Sequence, residues 1–237
     1  SLSKVQSEFN TIKIENLSQK IKDILSRNYF LSHFGGADIP DYYDTTIKYR
    51  RFKITEEKLF KEYLDRELLS KEALPDMSNL LRKKINESIF EIFSNAVIHG
   101  NCRNIFSCGQ YYRQKRRLDF TIVDLGKTIK ANVNEYLQSK LPGSETIKWA
   151  VSEGNTTKCN QIPGGLGLSL IREFLQKNKG KIQIISADGY WEQNISGEAV
   201  KQFSDEFHGT IVNLELSLIH ISELTRPLYI SYAVFCL

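Results

Sequence analysis

The chain has 237 residues, of which 41% are hydrophobic and 25% are charged, and its formal net charge is +4. This composition is typical of a globular protein that builds its own hydrophobic core without disulfides or structural metals. The positive charge is small and spread along the chain, so it does not indicate nucleic-acid binding. No apolar run is long enough to span a bilayer, and the cysteines form no CxxC pair. We therefore expect a cytoplasmic protein that binds neither nucleic acid nor membranes.

Residues 1–75 are predicted to be mainly helical. Apolar residues recur with the helical period over residues 16–28 and again over residues 55–70. An aromatic connector rich in glycine and proline, residues 33–43, separates these two segments. We interpret residues 1–75 as an N-terminal helical extension of unknown role, which either packs on the main domain or mediates contacts in a homodimer.

A long helix is predicted to begin near residue 76 and to end at about His99. Its apolar residues form the stripe of a helix that packs on a core: Ile85, Ile89, Ile92, Phe93, Ala96 and Val97. Gly100 ends the helix, as a glycine after a helix commonly does. Two strands are predicted next, over residues 103–112 and 117–124, and the second is apolar enough to lie in the middle of a sheet.

The following part of the chain supplies further helices and strands. Helices are predicted over residues 132–139, 144–152 and 166–176. Strands are predicted over residues 181–185, 189–192 and 209–216. The order of these elements across residues 76–216 predicts an α+β two-layer sandwich, with helices on one face of a mixed, mostly antiparallel sheet. Residues 217–237 differ in composition from what precedes them, and our hypothesis is that they are a non-native extension.

Glu91, Asn95 and His99 are spaced four residues apart, so they lie along one face of the predicted helix. The amide oxygen of Asn95 is a type of ligand that Mg²⁺ accepts. A carboxylate such as Glu91 orients or deprotonates an attacking water or hydroxyl. Taken alone, the same spacing is also typical of a solvated polar helix face. A single histidine near a helix end, such as His99, is also typical of a helix cap or a surface residue.

Asp124 ends a buried strand, and Gly126 follows it in a turn. A carboxylate in this position accepts a hydrogen bond from an exocyclic amine, which is what recognition of adenine requires. The glycine allows a base to approach the backbone closely. An aspartate that only forms a turn is the alternative interpretation.

A glycine cluster, residues 164–168, opens the predicted helix over residues 166–176. Backbone N–H groups at the start of a helix favour phosphate. A glycine cluster also forms plain turns, so the signal is weak by itself. No Gly-Lys-Ser/Thr follows, which argues against a Walker loop, and no strand directly precedes, which argues against a dinucleotide-binding fingerprint.

In this order the segments resemble the ATP site of the superfamily of gyrase, Hsp90, histidine kinases and MutL (GHKL). Residues 91–100 resemble its N box, particularly that of the anti-sigma-factor serine kinases. Asp124 and Gly126 resemble the first glycine box, and residues 164–168 resemble the second. Gly209 and Thr210 resemble the terminal threonine motif. The resemblance covers residues 76–216 and implies the Bergerat-type sandwich of a histidine-kinase-like ATPase domain.

The resemblance implies a site for ATP and Mg²⁺. It implies that Asn95 binds Mg²⁺ and that Glu91 is the general base or orients a water. Asp124 would bind the adenine amine with support from Thr210, and Gly126 would lie beneath the base. The other implied nucleotide ligands are His99, Thr128, Thr157, Lys158, Gly164, Gly165, Gly167 and Leu168.

Two departures from the family pattern bear on activity. Thr128 replaces the second glycine of the first glycine box and has less freedom to adopt a positive φ, which puts lid mobility and turnover in doubt. None of the four histidines lies in the phosphoacceptor motif of sensor histidine kinases.

The resemblance therefore implies a signalling protein kinase of the anti-sigma or switch type, which acts on a separate protein partner. One alternative is a nucleotide-gated interaction module or slow ATPase, which Thr128 favours. Another alternative is the catalytic ATP-binding part of a histidine kinase system.

Overall fold

The computed structural model describes residues 12–71, 74, 78–152, 155, 157 and 179–218. The α-helices are α1 (Gln19–Arg27), α2 (Glu57–Tyr63), α3 (Asn79–His99), α4 (Ile129–Leu137) and α5 (Gly143–Val151). The strands are β1 (Thr46–Lys53), β2 (Asn104–Tyr112), β3 (Arg117–Asp124), β4 (Lys181–Asn194) and β5 (Gly197–Ser217). A π-helical segment, Leu64–Leu69, continues α2, and short 3₁₀ helices span Leu31–Phe34 and Arg113–Lys115.

The five strands form one sheet in the order β1-β2-β3-β5-β4. Each pairing between these described strands is antiparallel, whereas the sequence predicted a mixed, mostly antiparallel sheet. Helices and an antiparallel sheet in one chain confirm the predicted α+β class. None of the helices within the described ranges is both long enough and apolar enough to cross a bilayer.

The core lies on the face of the sheet that carries alternate residues of β3 and β5. Buried residues of these strands in the core cluster are Leu118, Phe120, Ile122, Val212, Leu214 and Leu216. The antiparallel register places Phe120 opposite Leu214 and Ile122 opposite Val212, so both strands present apolar side chains to the same face. The apolar stripe predicted for α3 is buried in the same cluster, from Ile85 to Ala96, with Val97 partly buried against it.

Three phenylalanines connect the N-terminal part to this core. Phe52 of β1, Phe60 of α2 and Phe93 of α3 are fully buried. The ring centroids of Phe60 and Phe93 lie 4.2 Å apart, and those of Phe52 and Phe60 lie 5.1 Å apart. Residues on both sides of the predicted boundary at residue 75 therefore pack in one hydrophobic cluster.

The N-terminal part, which was predicted to be mainly helical, also contains the strand β1, which the sequence analysis missed. This strand pairs with β2, but its register shifts between Ile47 and Arg50. Ile47 and Phe52 are five positions apart and would face opposite sides of a regular strand, yet both are fully buried. The shift is a β-bulge, which adds one residue and interrupts the alternation by which strands are recognised in a sequence.

Three separate strands were predicted over residues 181–216, but residues 179–218 of the structure form two long ones. The predicted strands over residues 181–185 and 189–192 are both parts of β4, which continues through register shifts near Ala187. The first part of β5 is exposed and lacks an alternating pattern, so its start at Gly197 was missed. Leu218 is buried in the core, although the predicted tail began at residue 217. Two predicted segments lie outside the described residues: the helix over residues 166–176 and the tail from residue 219 to residue 237.

Phe93 should be essential for stability, because its ring is buried between α2 and β1. The Phe93→Ala variant is expected to lower the free energy of unfolding by about 3–5 kcal/mol. The matched control is Phe203→Ala, since Phe203 is 42% exposed, and it should change the free energy by less than about 1 kcal/mol. Urea unfolding followed by circular dichroism measures both, and equal losses in the two variants would contradict this packing.

Candidate functional site

A cleft lies between α3, the ends of β3 and β5, and the helices α4 and α5. The structure brings six of the predicted site residues to this cleft: Glu91, Asn95, His99, Asp124, Thr157 and Thr210. They come from four separate parts of the chain, so only the tertiary fold places them together. A cleft with a few convergent polar groups is the usual form of a small-molecule site.

The helix α3 supplies one wall of the cleft because of its residue spacing. Glu91, Asn95 and His99 follow one another at intervals of four and all line the cleft. Ile92 and Ala96 of the same helix also reach the cleft, and they belong to the hydrophobic core. The polar face and the buried face of α3 therefore meet along this wall.

The sheet supplies an apolar floor that ends in a row of polar side chains. Ile122, Ile184 and Val212 line the cleft from β3, β4 and β5. Two positions further along, the register aligns Asp124 with Thr210 and Thr210 with Ser186. An apolar surface is thus bordered by hydrogen-bonding groups, an arrangement that suits a planar aromatic ligand with polar edges.

Asp124 is 5% exposed and lies at the end of β3. Its Oδ1 accepts a hydrogen bond of 3.0 Å from the backbone N–H of Gly126. Burial raises the pKa of the Asp124 carboxyl to about 6, although the backbone N–H groups of Gly126 and Thr210 hydrogen-bond to it and lower the pKa. The carboxyl therefore changes its charge close to neutral pH.

Ser186 completes the polar row and was missed in the sequence analysis. Its side chain is fully buried, and its Oγ donates to the backbone carbonyl of Gly209 at 3.0 Å. The same Oγ accepts from the backbone N–H of Ile129 at 2.9 Å and lies 3.1 Å from Oγ1 of Thr210. Ser186 therefore fixes Thr210 and the start of α4. Only the pairing of β4 with β5 reveals this role.

Gly126, which is predicted to lie beneath a bound base, packs closely against the backbone at the end of α3. It does not line the described part of the cleft. Its Cα faces the carbonyl of Gly100, and a Cβ at this position would overlap the Gly100 backbone. The glycine is required because the turn after β3 packs against the end of α3.

Thr128 also lies outside the cleft lining within the described residues. It is the N-cap of α4, and its Oγ1 accepts a hydrogen bond of 3.1 Å from the backbone N–H of Ala131. Its φ is −74°, which any residue adopts easily. The expected conformational disadvantage of replacing glycine by threonine therefore does not arise here.

His99 joins three parts of the site. Its Nδ1 lies 3.2 Å from Oγ1 of Thr157, which follows α5 in the chain. Its backbone carbonyl accepts a hydrogen bond of 2.9 Å from the side chain of Asn132 on α4. Asn132 and Trp149 also line the cleft and were missed, because no motif marks them in the sequence.

Five residues of the predicted site cannot be placed relative to the cleft. Lys158, Gly164, Gly165, Gly167 and Leu168 lie outside the described residues. Within the described ranges, no three side chains of histidine, cysteine, aspartate or glutamate are grouped so that they could hold a metal ion. Asn95 and Glu91 therefore suit Mg²⁺ only if a ligand such as a nucleotide supplies further oxygens.

Comparison with known proteins gives no assignment: neither a scan against protein-family models nor a search of the curated proteins finds a match for this chain.

Asp124 should make the stability of the protein depend on pH. Its pKa is about 6 in the folded protein against 3.8 ordinarily, so its stabilising contribution is complete below about pH 4 and is lost as the pH rises through about 6. The Asp124→Asn variant has no such loss. The free energy of unfolding of the variant minus that of wild type should therefore increase by about 2 kcal/mol between about pH 4 and about pH 7. Urea unfolding of both proteins at several pH values between about 4 and about 7 measures this difference. Parallel curves of the free energy of unfolding against pH would contradict the raised pKa of Asp124.

Proposed function

We propose that this chain is a Mg-ATP-binding protein of the GHKL type and a signalling kinase that phosphorylates a separate protein. The observation that carries the proposal is the buried carboxyl of Asp124, which lines the same cleft as Glu91 and Asn95. One end of the cleft thus has an acceptor suited to adenine, and α3 has the oxygen groups suited to the phosphates and their cation.

The hydrogen bonds of Asp124 support a role in adenine recognition. The carboxylate has about four lone-pair sites, and the backbone N–H groups of Gly126 and Thr210 use two of them. An exocyclic amine can therefore donate to an oxygen that is already held in place. The apolar floor of Ile122, Ile184 and Val212 suits the face of the base.

Glu91 and Asn95 are one turn apart on α3, so they would contact neighbouring atoms of one ligand. Asn95 would hold Mg²⁺ through its side-chain oxygen, and the cation would offset the negative charge of the phosphates. Glu91 would orient the hydroxyl of the partner protein and accept its proton as the oxygen attacks the terminal phosphorus. The bond between that phosphorus and the leaving diphosphate breaks, and the phosphoryl group passes to the hydroxyl.

Loss of the Glu91 carboxylate should abolish phosphate transfer without abolishing nucleotide binding. We expect Glu91→Ala to transfer label from γ-labelled ATP at least about a hundredfold more slowly than wild type, since general base catalysis contributes on this scale. The substrate preparation is an extract of the cells in which the protein occurs. The matched control is Glu87→Ala on the same helix, because Glu87 is exposed and pairs only with Lys83 at 3.8 Å among the described ion pairs.

The control variant should transfer label at the wild-type rate. Transfer that persists in Glu91→Ala would contradict the role of Glu91. If wild type binds ATP and releases phosphate without labelling a protein, the protein is an ATPase and the kinase proposal is wrong. If it binds ATP with neither reaction, the nucleotide acts only as a gate for protein interaction.

A further inference from the structure

A second concave site lies at the edge of the sheet and shares no residue with the cleft. Its walls are β1, the turn that contains the 3₁₀ helix Leu31–Phe34, and the end of the α2 segment. The charged side chains around it are Lys48, Arg50, Arg51, Arg66 and Glu67. We call this site the β1 pocket.

The β1 pocket has an excess of positive charge. Its single carboxylate, Glu67, is buried and lies 3.5 Å from Nε of Arg66 and 4.0 Å from Nζ of Lys48. Neither Arg50 nor Arg51 forms an ion pair with a carboxylate of the described residues. Four cations therefore surround one acid, and two arginines remain without a counter-charge from this part of the chain. A concave site lined mainly by one sign of charge attracts ligands of the opposite sign.

Arg50 and Arg51 are consecutive residues of β1, directly after its bulge. From Arg50 to Lys53 the register with β2 is regular, so the two arginines leave the strand on opposite sides. Both line the pocket, which lies at β1, the edge strand of the sheet.

The walls of the pocket are held by specific contacts. The backbone N–H of Tyr49 donates to the carbonyl of Asn28 at 2.6 Å, which ties β1 to the turn after α1. The hydroxyl of Tyr63 donates to the carbonyl of Lys48 at 2.8 Å. The ring of Tyr49 also packs edge-on against Phe30, with centroids 5.2 Å apart. The arginines therefore project from a fixed backbone rather than from a loop.

We propose that the β1 pocket binds a phosphate group through Arg50 and Arg51. A guanidinium presents a planar fork of donors that matches phosphate oxygens in pairs. A phosphate monoester carries a charge of about −1.5 to −2 near neutral pH, which balances two arginines better than a single carboxylate does. The phosphate belongs either to a free phosphate compound or to a phosphorylated side chain. This proposal is independent of the proposed nucleotide site.

Calorimetric titration with inorganic pyrophosphate, without Mg²⁺, tests the proposal on the full chain. Wild type should bind, Arg51→Gln should bind about tenfold more weakly, and the Arg50→Gln/Arg51→Gln variant should show no measurable binding. Arg51 is exposed, so its single variant should fold even if the double variant does not. The matched control is Lys20→Gln/Lys22→Gln, which removes two exposed charges from α1 and should bind as wild type does.

A second arm uses a short phosphoserine peptide and its unphosphorylated counterpart. Preference for pyrophosphate indicates a free phosphate compound, and preference for the phosphopeptide indicates a phosphorylated side chain. Either preference supports the phosphate site only if the arginine variants no longer bind the preferred ligand as tightly as wild type does. Binding that is equal in wild type and in both arginine variants would overturn the proposal. So would the absence of binding of either ligand by wild type at millimolar concentration.

Discussion

The candidate site depends on one buried carboxyl group, that of Asp124, at the end of a central strand. The backbone N–H of Gly126 hydrogen-bonds to it at 3.0 Å, and the backbone N–H of Thr210 also contributes. Leaving a buried carboxylate incompletely paired is unfavourable, which is why its pKa rises to about 6. A ligand that donates a further hydrogen bond would favour the charged form. The protein thus holds an acceptor in place at the expense of some stability near neutral pH.

The packing around Asp124 explains why neighbouring residues are small or polar. Gly126 must lack a side chain because its turn packs on the end of α3 at Gly100. Ser186 is buried between Gly209 and the start of α4, where its hydroxyl satisfies both backbone groups. Together these contacts connect the end of α3, the turn after β3 and the β4–β5 hairpin. The position of the carboxyl relative to α3 is therefore determined by backbone contacts rather than by flexible side chains.

Sequence patterns predicted the helices and strands whose apolar residues recur with a regular period. The apolar stripe of α3 and the central position of β3 in the sheet are confirmed, as are the short helices α4 and α5. β1 was missed because its bulge places Ile47 and Phe52 on one face despite their odd separation. The start of β5 was missed because that part of the hairpin is exposed on both faces, which removes the burial signal on which strand prediction depends.

The site could be predicted only where a motif carries its chemistry within a few residues. The spacing of Glu91, Asn95 and His99 placed them on one helix face, and the structure brings that face to Asp124 and Thr210. Ser186 and Asn132 act through strand register and helix packing, so no local pattern marks them. The place of Gly126 beneath a base stays a prediction, because a glycine after a strand serves close backbone packing, here on Gly100, as well as it serves a ligand.

The most direct test of the nucleotide site is a calorimetric titration with a non-hydrolysable ATP analogue and Mg²⁺, at a pH near 8 where Asp124 is ionised. The amide introduced by Asp124→Asn would offer a single acceptor oxygen to the two backbone N–H groups and the adenine amine. This variant should therefore bind at least about tenfold more weakly than wild type. The control is Asp119→Asn, five positions earlier on β3 and therefore on the opposite face of the sheet, which should bind as wild type does. Equal binding by wild type and Asp124→Asn, or no binding by wild type, would contradict the account.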